Sequence, residues 1–170
     1  MKRLASIILF IGVFLGISAQ ENTFRFGYLS YEGAIQSMPE YALVQQQMKE
    51  LQEQYQAETL RVEDEFNRKY EDFLDGQRDF PRTILQKRQT ELQELMEKNI
   101  LFKEQSRQEL ADAEREAMAP LRIRLIELLS TIGREKGFAF IVDTDQKALP
   151  FINPAMGIDI TELVTTLLQQ

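Results

Sequence analysis

The closest approach to a reactive constellation in this chain is Asp143-Thr144-Asp145. Two carboxylates two positions apart suit a divalent cation or an acid/base pair, but both chemistries need further donors. Here the pair sits in a polar run, residues 143–147, that reads more simply as a turn. The 170 residues contain no His and no Cys. The commonest general base and imidazole ligand are therefore missing, together with any thiolate nucleophile or disulfide. No nucleophile stands beside a base, and no G-x-x-x-x-G-K-[ST] loop offers to cradle a phosphate. The expectation is a protein that is not an enzyme, with no catalytic residue, no metal site and no cofactor.

The chemistry that remains is that of surfaces. Phe66, Tyr70, Phe73, Phe80, Met96, Ile100, Leu101 and Phe102 concentrate apolar side chains in one part of the chain. Ile100, Leu101 and Phe102 are consecutive and sweep about 200° of a helix, so at least one must face away from any single partner. Adaptable apolar groups spread along a frame suit weak contact with many different sequences, although the plainer reading of most of them is a helix seam. Arg61, Arg68, Lys69, Arg82, Lys87, Arg88 and Lys103 would grip the carboxylates of a bound chain or the phosphates of a membrane surface in transient contact. Their plainer reading is a solvated face laced by i,i+4 pairs such as Glu65 with Lys69 and Glu94 with Lys98.

These residues ride on two long helical patterns. Tyr41, Val44, Met48, Leu51, Tyr55 and Val62 recur at steps of three and four, and the stripe continues through Phe66, Tyr70 and Phe73. A second stripe runs through Leu85, Leu92, Leu95, Phe102, Leu110, Ala113, Ala117 and Leu121. It is interrupted by Arg88, Asn99 and Ser106, so the seam should be narrow and partly wet. Residues 75–81 separate the two, with Gly76 free to adopt positive φ and Pro81 restarting the helix. Each half is about 55 to 60 Å long at 1.5 Å per residue. An antiparallel coiled-coil helical hairpin over residues 39–119 follows, with its tip near residues 75–81.

The flanking segments supply the rest. Lys2 and Arg3 followed by the apolar residues 4–15 and small residues near Ala19 form a signal peptide over residues 1–20, too short to span a bilayer. Its removal lowers the basic residues from 20 to 18 against 27 acidic, a net charge of -9, which argues against nucleic acid. Phe24, Phe26 and Tyr28 alternate as in a half-buried strand, residues 30–38 read as a short helix or turn, and Pro39 opens the first arm. Pro120 should kink the second helix, beyond which Leu121, Leu125, Leu128, Leu129 and Ile132 present a broader apolar face. Gly137 ends it. Phe138, Ala139, Phe140, Ile141 and Val142 read as a strand buried on both faces. Residues 148–152 should return antiparallel, with Pro150 marking an edge. Asp159 and Glu162 give a capping-box pattern for a last helix.

The fold expected is mainly α with a small β body (α+β), the body comprising residues 21–38 and 120–170. A body that small, with three short strands, has a marginal core and open edges, and sharing one sheet among several copies of the chain would relieve both.

The order of leader, FRFGYLS strand, proline-opened helix, long helical hairpin, KGFAFIVD, return strand and DITELVTTLLQQ resembles the Skp (OmpH-like) family of periplasmic chaperones over residues 24–170. The resemblance implies a homotrimer whose strands build a β-barrel-like trimerisation core, made here by Phe24, Phe26, Tyr28, Phe138, Phe140, Ile141 and Val142. Three hairpins then project around a cavity that holds unfolded outer-membrane proteins in the periplasm without ATP and prevents their aggregation. The alternative is a structural coiled-coil adaptor that docks one folded partner of the cell envelope. The best-known members are strongly basic, whereas residues 39–118 here hold 12 basic and 19 acidic residues, so no lipopolysaccharide-binding residues carry over.

Overall fold

The computed structural model describes residues 24–146 and 148–170. The leader expected at residues 1–20, with cleavage near Ala19, lies outside the described residues, as do body residues 21–23 and Lys147 of the turn. The described chain runs β1 (Phe26–Leu29), α1 (Tyr31–Gln36), α2 (Pro39–Gly76), α3 (Arg82–Lys136), β2 (Ile141–Asp143), β3 (Gly157–Asp159) and α4 (Thr161–Leu168). No described helix is long and apolar enough to cross a membrane.

Local chemistry sets the ends of the helices. Ser30 accepts a hydrogen bond from the Gly33 amide (2.8 Å) and so starts α1. Pro39 opens α2 in its first turn, where its missing N–H has no helical partner to satisfy. Gly137 takes φ 66°, and its amide and that of Phe138 return to the last carbonyls of α3. At the tip, Gly76 does not take the positive φ expected of it and instead closes α2 in helical conformation. A side chain there would meet the Phe80 ring, which folds back over the glycine. α3 runs unbroken through Pro120.

Contacts between α2 and α3 pair rising positions on one with falling positions on the other. Glu40 meets Arg124, Tyr55 meets Glu109, Glu63 meets Lys103, and Val62 accepts from Asn99 Nδ2 at 3.0 Å. The two helices thus lie side by side in opposed directions, α2 extending about 57 Å at 1.5 Å per residue. The polar interruptions of the seam are satisfied: Ser106, 6% exposed, donates to the Phe102 carbonyl at 2.7 Å. Glu65 pairs with Lys69 at 3.4 Å, whereas the expected Glu94 to Lys98 pair does not form.

The sheet differs from expectation. β1 is its central strand and is parallel to both neighbours, with Gly27 opposite Ile141 in β2 and opposite Ile158 in β3. Residues 148–152 form no strand, and Pro150, expected at an edge, lies in the connection between β2 and β3. Instead of returning beside β2, that connection crosses to the far side of β1, which makes the third strand parallel rather than antiparallel. The run 138–142 is likewise not a strand buried on both faces. Only Ile141–Asp143 is regular, although Ala139 and Gly27 already exchange hydrogen bonds across to Arg25 and Phe140 (2.9 and 3.1 Å). β1 begins at Phe26, not Phe24, and its buried residues are Gly27 and Leu29, so the aromatic side of the alternation faces outward.

Helices α1, α3 and α4 cover the inner side of the sheet. Leu29, Ile35, Met38, Leu121, Leu125, Ile132, Ile160, Val164 and Leu168 form the buried core. The C-terminal half of α3 supplies the broad apolar face that the spacing of its leucines predicts. Arg124 ties this core together, donating to Glu40 at the start of α2 (2.7 Å) and to the Leu168 carbonyl at the end of α4 (3.2 Å). The last helix starts at Thr161, whose amide donates to Asp159 (2.9 Å), without the reciprocal bond from Glu162 that a capping box would add.

Candidate functional site

Asp143 and Asp145 are structural. Asp143 accepts from the amides of Tyr31 (3.3 Å) and Asp145 (3.0 Å), and Asp145 accepts from the Glu32 amide at 2.7 Å. Both carboxylates thus satisfy the exposed amides at the start of α1, across more than 110 residues of sequence. Among the described residues no three potential metal ligands come together. Hydrogen bonds from Ser30 first, then from the Glu32 amide, hold the Asp145 carboxyl below its ordinary value of 3.8. A depressed folded value means stability that is complete above the ordinary value and lost as pH falls below it through the folded one. Asp145→Asn is therefore expected to flatten the acid limb of a stability profile below about pH 4, read by denaturant melts at stepped pH.

The apolar candidates divide into two sets. Phe66, Phe73, Phe80 and Phe102 are half-buried in the arm. Phe66 stacks on Tyr70 with centroids 5.9 Å apart, and Phe102 packs against Tyr55 at 6.4 Å. Phe73 and Phe80 share the tip with Leu92. Tyr70, Met96, Ile100 and Leu101 are exposed, Ile100 and Leu101 by 61% and 56%. Of the three consecutive residues 100–102, only Phe102 turns into the seam. Ile100 and Leu101 thus leave more than half of their surface in solvent.

Among the described residues, clefts open between the helices below the tip. One of about 410 Å³ is lined by Gln45, Met48, Gln52, Leu110 and Glu114 among others. A second of about 520 Å³ lies beside Gln52, Tyr55, Gln56, Lys103 and Leu110. The third, about 370 Å³, lies beside Phe66, Asn67, Met96, Ile100 and Lys103. Their amide side chains carry no charge and follow no apolar period, so neither stripes nor charge pairs mark them in the sequence.

In the body, Phe138 and Ile141 of the seven aromatic and aliphatic candidates pack against the core from its margin, and the other five lie outside it. Phe140 sits against Phe24 (5.6 Å, edge to face) and Phe26 (5.3 Å, stacked), yet Phe24 and Phe140 remain 51% and 48% exposed. Tyr28, Phe138, Ile141 and Val142 are half-buried, and none of the seven joins the buried core. Beside β2 an open hollow of about 550 Å³ is walled by Ile126, Leu129, Phe138, Phe140 and Ile141. Among the described residues β2 and β3 each pair with β1 alone, which leaves the outer edges of both with unpaired backbone groups there.

A family model described as "Outer membrane protein (OmpH-like)" matches residues 25–168, which take in every described element. No curated protein matches the chain.

Proposed function

Since the chain belongs to the OmpH-like outer membrane protein family, which includes periplasmic chaperones, we propose that it is an exported, ATP-independent holdase for unfolded outer-membrane β-barrel proteins. The observation that carries this reading is the exposure of Tyr70, Met96, Ile100 and Leu101 along the outer half of the arm. Shallow contacts of this kind hold a client loosely enough to release it by dissociation. Three copies would join through the aromatic surface of Phe24, Phe26 and Phe140 and the open edges of β2 and β3, closing a shared barrel. The paired helices α2 and α3 then stand as arms around a common space, and a chain enclosed there is kept from strand-to-strand aggregation.

The test is dilution of a urea-unfolded outer-membrane barrel into the mature chain, followed by light scattering. Suppression is expected at about one trimer per client, and the double substitution Ile100→Ser with Leu101→Ser is expected to weaken it. Each side chain contributes about 1 kcal/mol of apolar contact, or about fivefold in affinity. Both residues are exposed, so the fold is left unchanged. Absence of suppression, with saturable binding to one folded envelope protein instead, would establish an adaptor.

A further inference from the structure

The hollow beside β2 lies where one more strand would run. Ile141 and Asp143, two positions apart on β2, line it together with Ile126, Leu129 and Gly133 of α3. Leu29 of β1 closes its near side, so it opens past the outer edge of β2, where no described strand pairs. A strand laid along that edge would place every second side chain in the hollow, over Ile126, which is 53% exposed without one. No described segment of the same chain fills it. The connection that leaves β2 crosses to the other flank of the sheet, where Ile152 packs over Gly157 beside the Phe26 ring.

That connection carries a strand pattern without a sheet. The backbone of Leu149, Pro150 and Phe151 meets no hydrogen-bond partner among the described residues. Leu149 is 48% and Phe151 75% exposed, the latter more than any other large apolar side chain described. In an extended segment residues 149 and 151 project to one face and turn their backbone groups to one side, while residue 150 turns its own to the other. With Leu149 and Phe151 facing an edge, the N–H that Pro150 lacks would point away from it, where none is needed. Three residues also match the length of β2. Phe24, Phe140 and Phe151 together leave about 350 Å² of aromatic surface in solvent, at about 200 Å² for each whole side chain. One side of a standard interface covers about 800 Å² and is about 60% apolar, so these three rings supply most of its apolar share. We propose that Leu149–Phe151 of one copy of this chain adds a strand to the outer edge of β2 in the next, with Leu149 and Phe151 filling the hollow over α3. Donor and slot lie on opposite flanks of the sheet, so the contact is head to tail, and a closed ring leaves no slot unfilled. The proposal rests on the three-copy reading and names the segment and the slot through which the copies join.

The chain has no cysteine, so engineered thiols report one contact at a time. Full mature chains carrying Phe151→Cys are unfolded together with chains carrying Ile126→Cys, refolded as a mixture and mildly oxidised. Both positions are exposed in the single chain, so neither substitution opens its core. Disulfide-linked pairs with one chain of each kind are expected on a non-reducing gel, and chains carrying both substitutions should give covalent rings of three. A mixture of Phe151→Cys with Leu163→Cys, on the exposed side of α4, should stay unlinked. Independently, Phe151→Ser is expected to raise the concentration at which half the copies are single by about tenfold or more, with helical content unchanged. If native mass measurement finds three copies, but the Phe151 and Ile126 thiols do not link or Phe151→Ser assembles undiminished, the slot is overturned and the three-copy reading stands. An unsubstituted chain that stays single at every concentration overturns both.

Discussion

Leu125→Ala is expected to unfold the body at temperatures the unsubstituted protein withstands. Leu125 is 0% exposed at the meeting point of α1, α3 and α4, packed into one cluster with Ile35, Val164 and Leu168. Removing a buried leucine side chain costs about 2 to 5 kcal/mol, because the surroundings close only part of the cavity. The body has about 65 residues, a size at which one core is marginal, so that loss is a large share of its stability. A fall in midpoint of about 10 °C or more is expected in a thermal melt followed by circular dichroism. Leu101→Ala, on the same helix but exposed, should shift it by about 0.5 kcal/mol or less. Equal shifts for the two would mean that the body is not held by this cluster.

The second large effect concerns assembly. If three copies share one barrel as proposed, Phe140→Asp is expected to leave single chains, as read by native mass measurement at low micromolar concentration. Within one chain Phe140 touches only the edge of the structure, through Phe24 and Phe26, so its loss opens no cavity in the core. In a shared barrel the same position would lie inside. A carboxylate there loses an aromatic anchor of about 2 kcal/mol and adds an unpaired charge to be desolvated. Helical content measured at the same concentration should be retained. A well-folded single chain for the unsubstituted protein would remove the basis of this expectation.

Pro39, Pro81 and Gly137 were legible in the sequence because each acts through its own backbone, whereas Gly76 stays helical and Pro120 leaves α3 unbroken. Pro39 and Pro81 mark the starts of α2 and α3, and Gly137 the stop of α3, where the spacing of apolar residues also changes. The third strand was not legible. Residues 148–152 carry more apolar character than Gly157–Asp159, yet the backbone of the latter is the one placed against β1. Parallel pairing on the far side of β1 depends on where the connection crosses, which no local period records. The orientation of β1 was hidden for a related reason: its aromatic face and its Gly27 and Leu29 face are both apolar, so alternation alone does not decide which is covered. Leu121, Leu125 and Ile132 were readable as a packing face, since steps of three and four admit one arrangement. Arg124 was not, because its two partners come from residues 40 and 168. Of the candidate client contacts, sequence alone required one of residues 100–102 to turn away; which ones did so was left to the seam.

β1, near the start of the described chain, is flanked on both sides by strands from near its end, Gly27 facing Ile141 and Ile158. Long-range closures of this kind are slow because most of the polymer must be gathered before the first contact forms, whereas neighbouring helical turns zip within microseconds. The rods should therefore be standing well before their footing is made. An incomplete chain would display the arms with no footing beneath them. On the three-copy reading proposed above, an enclosed space would form only once the last residues had arrived.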